Sequence, residues 1–185
     1  MISNARIADT LASDGHNVWR RKSRPAQKSR RPVFSPTISR SHMISNARIA
    51  DTLASDGHNV TLLEVGFREV ALNASKVANK ILVPGPFIDS KEYDPSLMAR
   101  MAFKEVDLTM DFIVGSIWLT TFNNACEKFL LVSEKLFDKL RNEKFDIIIS
   151  EQLNFCGAGV GHLLGIPTNI LVSSRTSLYK VCNIS

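Results

Sequence analysis

The chain has 185 residues, 44% of them hydrophobic and 22% charged, a balance that suits one domain with a full core and excludes disorder throughout. Its formal net charge of +5 is local: Arg20, Arg21, Lys22, Arg24, Lys28, Arg30, Arg31 and Arg40 fall in the acid-free stretch between Trp19 and His42. Without these eight of the 23 basic residues, 15 stand against 18 acids, so overall charge does not argue for nucleic acid as a partner.

Met1 to Val18 is repeated letter for letter by Met43 to Val60. Solenoid repeats drift and recur as whole units, whereas this spacer is not repeated, so the pattern points to a recent duplication or a mis-joined gene model rather than to architecture. The first copy also lacks the basic and apolar regions of a secretory leader. It runs into a basic, proline-punctuated segment, and residues 1–31 read as duplicated segment and linker, outside the fold. The second copy runs into Thr61 to Val65, a β-rich run that a helix ending at Gly57 can feed.

Val33-Phe34, stopped by Ser35-Pro36, is the stub of a buried strand. Met43 to Asp56 reads as a helix, with Ser41 as candidate N-cap, an apolar stripe of Met43, Ala47, Ala50 and Ala54, and Gly57 as terminator. Strands are expected at Val60 to Val65 and at Ile81 to Val83, and a surface loop from Pro84 to Pro95. Ser116 to Asn142 has the pattern of one long amphipathic helix with Ala125, Phe129, Val132, Leu136 and Leu140 on its buried face. Phe145 to Ile149 is a continuous apolar run, as in a strand covered on both sides. Gly157 to Gly161 opens a small-residue helix, and Thr168 to Val172 makes a last strand. Strands alternating with helices predict an α/β fold, an open parallel sheet with helices on both faces. No run approaches the roughly 18 to 20 apolar residues of a membrane span. Cys126, Cys156 and Cys182 have no C-x-x-C spacing, so neither a zinc site nor a disulfide framework is expected.

In such sheets ligands bind outside the carboxyl ends of the strands. His42, after the first strand and before a helix, and Glu151, after the strand Asp146 to Ser150, both belong to that edge. A histidine at the positive end of a helix dipole is kept neutral and available as a base, and a carboxylate on its other nitrogen fixes the tautomer and offsets the imidazolium that forms. The competing readings are a capping or surface histidine and a solvated or N-capping glutamate. His58, in the Gly-His that ends the helix, reads as capping or packing, and His162 as structural. Asn73-Ala74-Ser75 and Asn183-Ile184-Ser185 are glycosylation sequons, meaningful only in the secretory lumen.

Ser35 to Glu64, SPTISRSHMISNARIADTLASDGHNVTLLE, resembles the start of UDP-glucuronosyltransferases, particularly their nematode branch. Asp138 to Asp146 leads into IIISEQLNFCGAGVGHLLGIPTNILVSS, similar to a second block of the same family. The resemblance covers about Pro32 to Ser185 and implies the N-terminal, acceptor-binding Rossmann-like domain of a GT-B enzyme, present in part. It also implies transfer of glucuronic acid or another hexose from a UDP-sugar, the co-substrate, to a small lipophilic acceptor, with inversion. His42 then falls on the family's catalytic base and Glu151 where many members carry an aspartate. Phe67 to Trp118 would line the acceptor pocket, with Phe87, Phe112 and Trp118 as candidate contacts, and no residue is expected to hold a metal. The Trp-Pro-Gln and His-Gly-Gly signatures of the family's UDP-sugar domain do not occur, so the chain alone is expected to be inactive. The family implies an endoplasmic reticulum membrane location and a role in detoxification. Two other readings stay open: a non-catalytic acceptor-binding or dimerisation module acting on full-length relatives, and nucleic-acid binding through Arg20 to Arg31.

Overall fold

A computed structural model describes residues 28–70, 73–92, 94, 96, 108–152 and 155–173. The first copy of the repeat, most of the basic linker, Cys182 and the sequon at Asn183 lie outside the described residues. Five strands form one parallel sheet: β1 (Arg30–Pro36), β2 (Asn59–Val65), β3 (Asn79–Val83), β4 (Ile147–Glu151) and β5 (Thr168–Val172), in the order β3-β2-β1-β4-β5. The helices whose bounds fall among the described residues are α1 (Arg40–Ser55), α2 (Leu108–Val132), α3 (Glu134–Asn142) and α4 (Cys156–Leu163).

The expected α/β architecture is present, and burial explains it. Val33, Val60, Leu62 and Ile149 project to one face, where Ala47 and Ala50 let α1 lie close. Phe34, Leu63, Val65 and Ile148 alternate with them onto the other face, beneath Phe122, Ala125 and Phe129 of α2, Phe137 and Leu140 of α3, and Val160 of α4. The three inner strands β1, β2 and β4 are thus apolar on both sides, as parallel strands between two helical layers must be, while the edge strands β3 and β5 carry exposed residues. Phe129 meets the rings of Phe34, Phe87 and Phe137 at centroid distances of 6.1, 6.0 and 5.6 Å, and burying such a side chain stabilises by about 2 to 3 kcal/mol.

Two local expectations are corrected and a third holds. α1 starts at Arg40, three residues earlier than the apolar stripe suggests, with Ser39 in extended backbone as its N-cap and no side-chain cap bond; Ser41 lies inside the first turn. The stretch Ser116 to Asn142 is two helices broken at Ser133, whose carbonyl accepts from the Phe137 amide to start α3. The break shifts the phase, so Phe137 joins the core and Val132 is exposed. Gly57 does end α1, with φ +87, a backbone region glycine adopts without cost.

Candidate functional site

From β1 the chain turns through α1 to β2 on one side, and from β4 through α4 to β5 on the other. β1 and β4 are neighbours, so the direction of winding reverses between them. At such a switch point the connections diverge and leave a crevice at the carboxyl ends of the strands, the general ligand site of open α/β sheets.

His42, in the helix that follows β1, and Glu151, at the end of β4, come from the two sides of this switch point. His42 is the third residue of α1 rather than a residue ahead of it, and Glu151 is the last residue of β4 rather than the first after it. The structure brings them together: His42 Nδ1 is hydrogen-bonded to Glu151 Oε1. Their side chains are 20% and 4% exposed, so the carboxylate is buried and the imidazole reaches the surface. Nε2, the ring nitrogen not engaged with Glu151, is the one left for a ligand. The extra methylene of glutamate, compared with the aspartate expected at this place in the family, does not prevent the contact.

Packing fixes Glu151 from behind. Gly157, in the first turn of α4, sits so close to Ser150 and Phe34 that a Cβ there would collide with the Ser150 side chain and reach 3.0 Å from the Phe34 ring. α4 is therefore seated directly on the end of β4. Cys126 of α2 and Cys156 of α4 form a disulfide, which corrects the expectation from spacing. Thirty residues separate the two cysteines, and only the packing of α2 against α4 brings them together.

A cavity of about 590 Å³ opens beside the loops that follow β2 and β3, lined by Arg68, Glu69, Phe87, Asp89, Ser90 and Lys128 among others. It is tied to the β1–α1 turn: Arg68 Nη1 donates to the Ile38 carbonyl at 2.9 Å and Thr37 Oγ1 donates to the Arg68 carbonyl at 2.7 Å. Of the aromatic candidates, Phe87 lines this cavity, Phe112 is exposed, and Trp118 packs on Phe122 with ring centroids 4.7 Å apart, as part of the core margin. His58 Nδ1 lies 3.3 Å from Ser29 Oγ, a packing role, and His162 is exposed on α4. Arg30 of the basic segment is engaged by Glu143, donating to its carbonyl at 2.6 Å. Among the described residues, no group of three His, Cys, Asp or Glu is placed to hold a metal ion.

Sequence reading missed Glu64. It is buried 3% exposed in β2, with Lys80 Nζ 3.7 Å from one oxygen. Burial raises its carboxyl above the ordinary range, and the nearby Lys80 ammonium opposes that rise. The signal was a lone acid inside the apolar run Val60 to Val65, where an acid has no solvent to reach.

A family model described as UDP-glucoronosyl and UDP-glucosyl transferase matches residues 32–182. The chain belongs to that family. Two curated UDP-glucuronosyltransferase relatives from Caenorhabditis elegans, ugt-46 and ugt-47, are 38% identical over 146 residues and 40% over 149, each across 77% of this chain. The chain spans 27% of the length of either relative. Among solved structures, a calicheamicin glycosyltransferase is similar over 82% of this chain and 34% of its own, with a TM-score of 0.47 at 10% identity. A Phytolacca americana UGT2 solved with UDP-2fluoro-glucose and pterostilbene is similar over 78% and 31%, with a TM-score of 0.47 at 16% identity. Membership of the UDP-glucuronosyl and UDP-glucosyl transferase family rests on the sequence matches, which include both His42 and Glu151 within 32–182.

Proposed function

We propose that this chain is the acceptor-side part of a UDP-sugar-dependent transferase in which His42 is the general base and Glu151 its orienting carboxylate. His42 Nε2 takes the proton of an acceptor hydroxyl as that oxygen bonds to the anomeric carbon of the sugar and the bond to the UDP oxygen breaks. The proton rests on the imidazole, UDP leaves, and a single in-line displacement inverts the anomeric carbon. Glu151, bonded at Nδ1, fixes the tautomer that presents Nε2 and offsets the imidazolium charge. The observation that carries this reading is the His42–Glu151 hydrogen bond at the switch point of the sheet.

The donor is UDP-glucuronic acid or another UDP-hexose, and the acceptor a small lipophilic alcohol or phenol received by the cavity beside Phe87. Residues 32–185 act as a partial acceptor-binding domain, and the UDP-sugar site belongs to a second domain of the complete enzyme. The 185-residue polypeptide alone is expected to transfer no sugar. A lumenal, endoplasmic reticulum setting is supported by the disulfide, a bond of oxidising compartments, and by an exposed Asn73 in a sequon. Among the described residues no helix is long and apolar enough to cross a membrane.

The test is incubation of the complete protein with UDP-glucuronic acid and a simple phenol, with the anomeric configuration of the product read by NMR. A β-linked glucuronide from the α-linked donor is the expected product; an α-linked one rules out the single displacement. Phenol binding without transfer by the complete protein leaves the acceptor-binding module as the better description.

A further inference from the structure

Beneath α1, on the same side of the sheet as the pair, Ser35, Asn46 and Glu64 are buried as well. Register places them. Ser35 of β1 is level with Glu64 of β2. Val33 is level with Ile149 of β4, so two residues further along the same ladder Ser35 is level with Glu151. Level residues of parallel strands project to the same face, about 4.8 Å apart. Ser35 therefore stands between two glutamates.

Each of those glutamates has one buried oxygen without a hydrogen-bond partner, Glu64 Oε1 and Glu151 Oε2. Asn46, one turn beyond His42 on α1, donates its Nδ2 hydrogen to Ser35 Oγ at 3.3 Å. A serine hydroxyl accepts two hydrogen bonds and donates one, so Ser35 has one acceptor site and one hydrogen still to place.

We propose that Ser35 is a positioning residue for Glu151, donating to its free oxygen while accepting from Asn46 and from the carboxylic acid of Glu64. Both contacts call for a side-chain rotation at Ser35 and the two glutamates, which the shared register of the three strands places side by side. The line Glu64, Ser35, Glu151, His42 then crosses three strands and leaves neither orphan oxygen unsatisfied, the condition that buried polar groups meet in folded proteins. It needs one proton on Glu64, since two carboxylates would compete for a single hydroxyl hydrogen. Burial of Glu64 favours that protonated form, against the pull of the Lys80 ammonium 3.7 Å from its other oxygen. The assignment rests on the His42–Glu151 pair being the working one.

The test is made on the whole 185-residue chain, folded, at pH 7. Proton NMR of the wild type is expected to show a downfield His42 Nδ1 hydrogen exchanging slowly with water. Ser35→Ala should speed that exchange at least fivefold, and Glu151→Gln should abolish the signal. Infrared spectra should show a protonated-carboxyl stretch that Glu64→Gln removes. If Ser35→Ala exchanges like wild type while Glu151→Gln loses the signal, the pair stands and the positioning role falls. Absence of the carboxyl stretch in the wild type also overturns the proposal. Absence of the Nδ1 signal from a well-folded wild type removes the pair and the inference together.

Discussion

At Glu151, geometry and chemistry meet in one contact. The carboxylate is buried and held to His42 Nδ1, so its loss leaves the imidazole free to rotate and to choose the wrong tautomer. Glu151→Gln in the complete protein should lower kcat on the order of 10²- to 10⁴-fold with a much smaller effect on KM, measured with a phenolic acceptor. Glu151→Asp keeps the charge but withdraws the carboxylate by a methylene from a ring already placed for glutamate; steady-state kinetics should show intermediate activity. Glu64 obeys the opposite logic. Its carboxyl is raised by burial, so its favourable contribution is complete below the ordinary carboxylate range and is lost as pH rises through the raised value. Glu64→Gln should therefore keep or increase stability at pH 8 relative to wild type in urea unfolding; a marked loss would show that the charged form is the one the fold uses.

The elements around the pair are held by contacts of very different legibility. Asp51 of α1 accepts hydrogen bonds from Ser75 Oγ and from the amides of Lys76, Val77 and Ala78, which pins the β2–β3 connection to the helix. Burial alone raises its pKa, and the bonds from Lys76, Ser75, Ala78 and Val77 outweigh that, lowering it to about 2. The stability it contributes is present above the ordinary value and is lost as pH falls from near 4 towards 2. Asp51→Asn should flatten that part of the acid-unfolding curve and cost on the order of 1 kcal/mol at pH 7. The disulfide closes a loop across 30 residues, and Cys126→Ala with Cys156→Ala should lower stability by about 2 to 4 kcal/mol in denaturant titration. The strands were legible because an apolar run must be covered on both sides. His42 and Glu151 were legible because each adjoins a strand's carboxyl end. The disulfide, the helix break at Ser133 and the line through Ser35 were not. They depend on which helix faces which strand, a long-range relation that no spacing along the chain encodes. Ser41 misled because Ser39, two residues earlier, supplies the same residue type at the true start of the helix.

For the whole molecule, the sheet order matters more than any single strand. It puts the reversal of winding between β1 and β4, and so converts two residues 109 apart in sequence into partners. The family assignment agrees with this arrangement, and the chain's 27% share of its relatives makes the transferase reaction a proposal about the complete enzyme. The decisive measurement is kcat/KM for sugar transfer by the complete protein carrying His42→Ala. The base assignment predicts a fall of about 10²- to 10⁴-fold, with the folded state and acceptor binding retained. Transfer within a few-fold of wild type would contradict it.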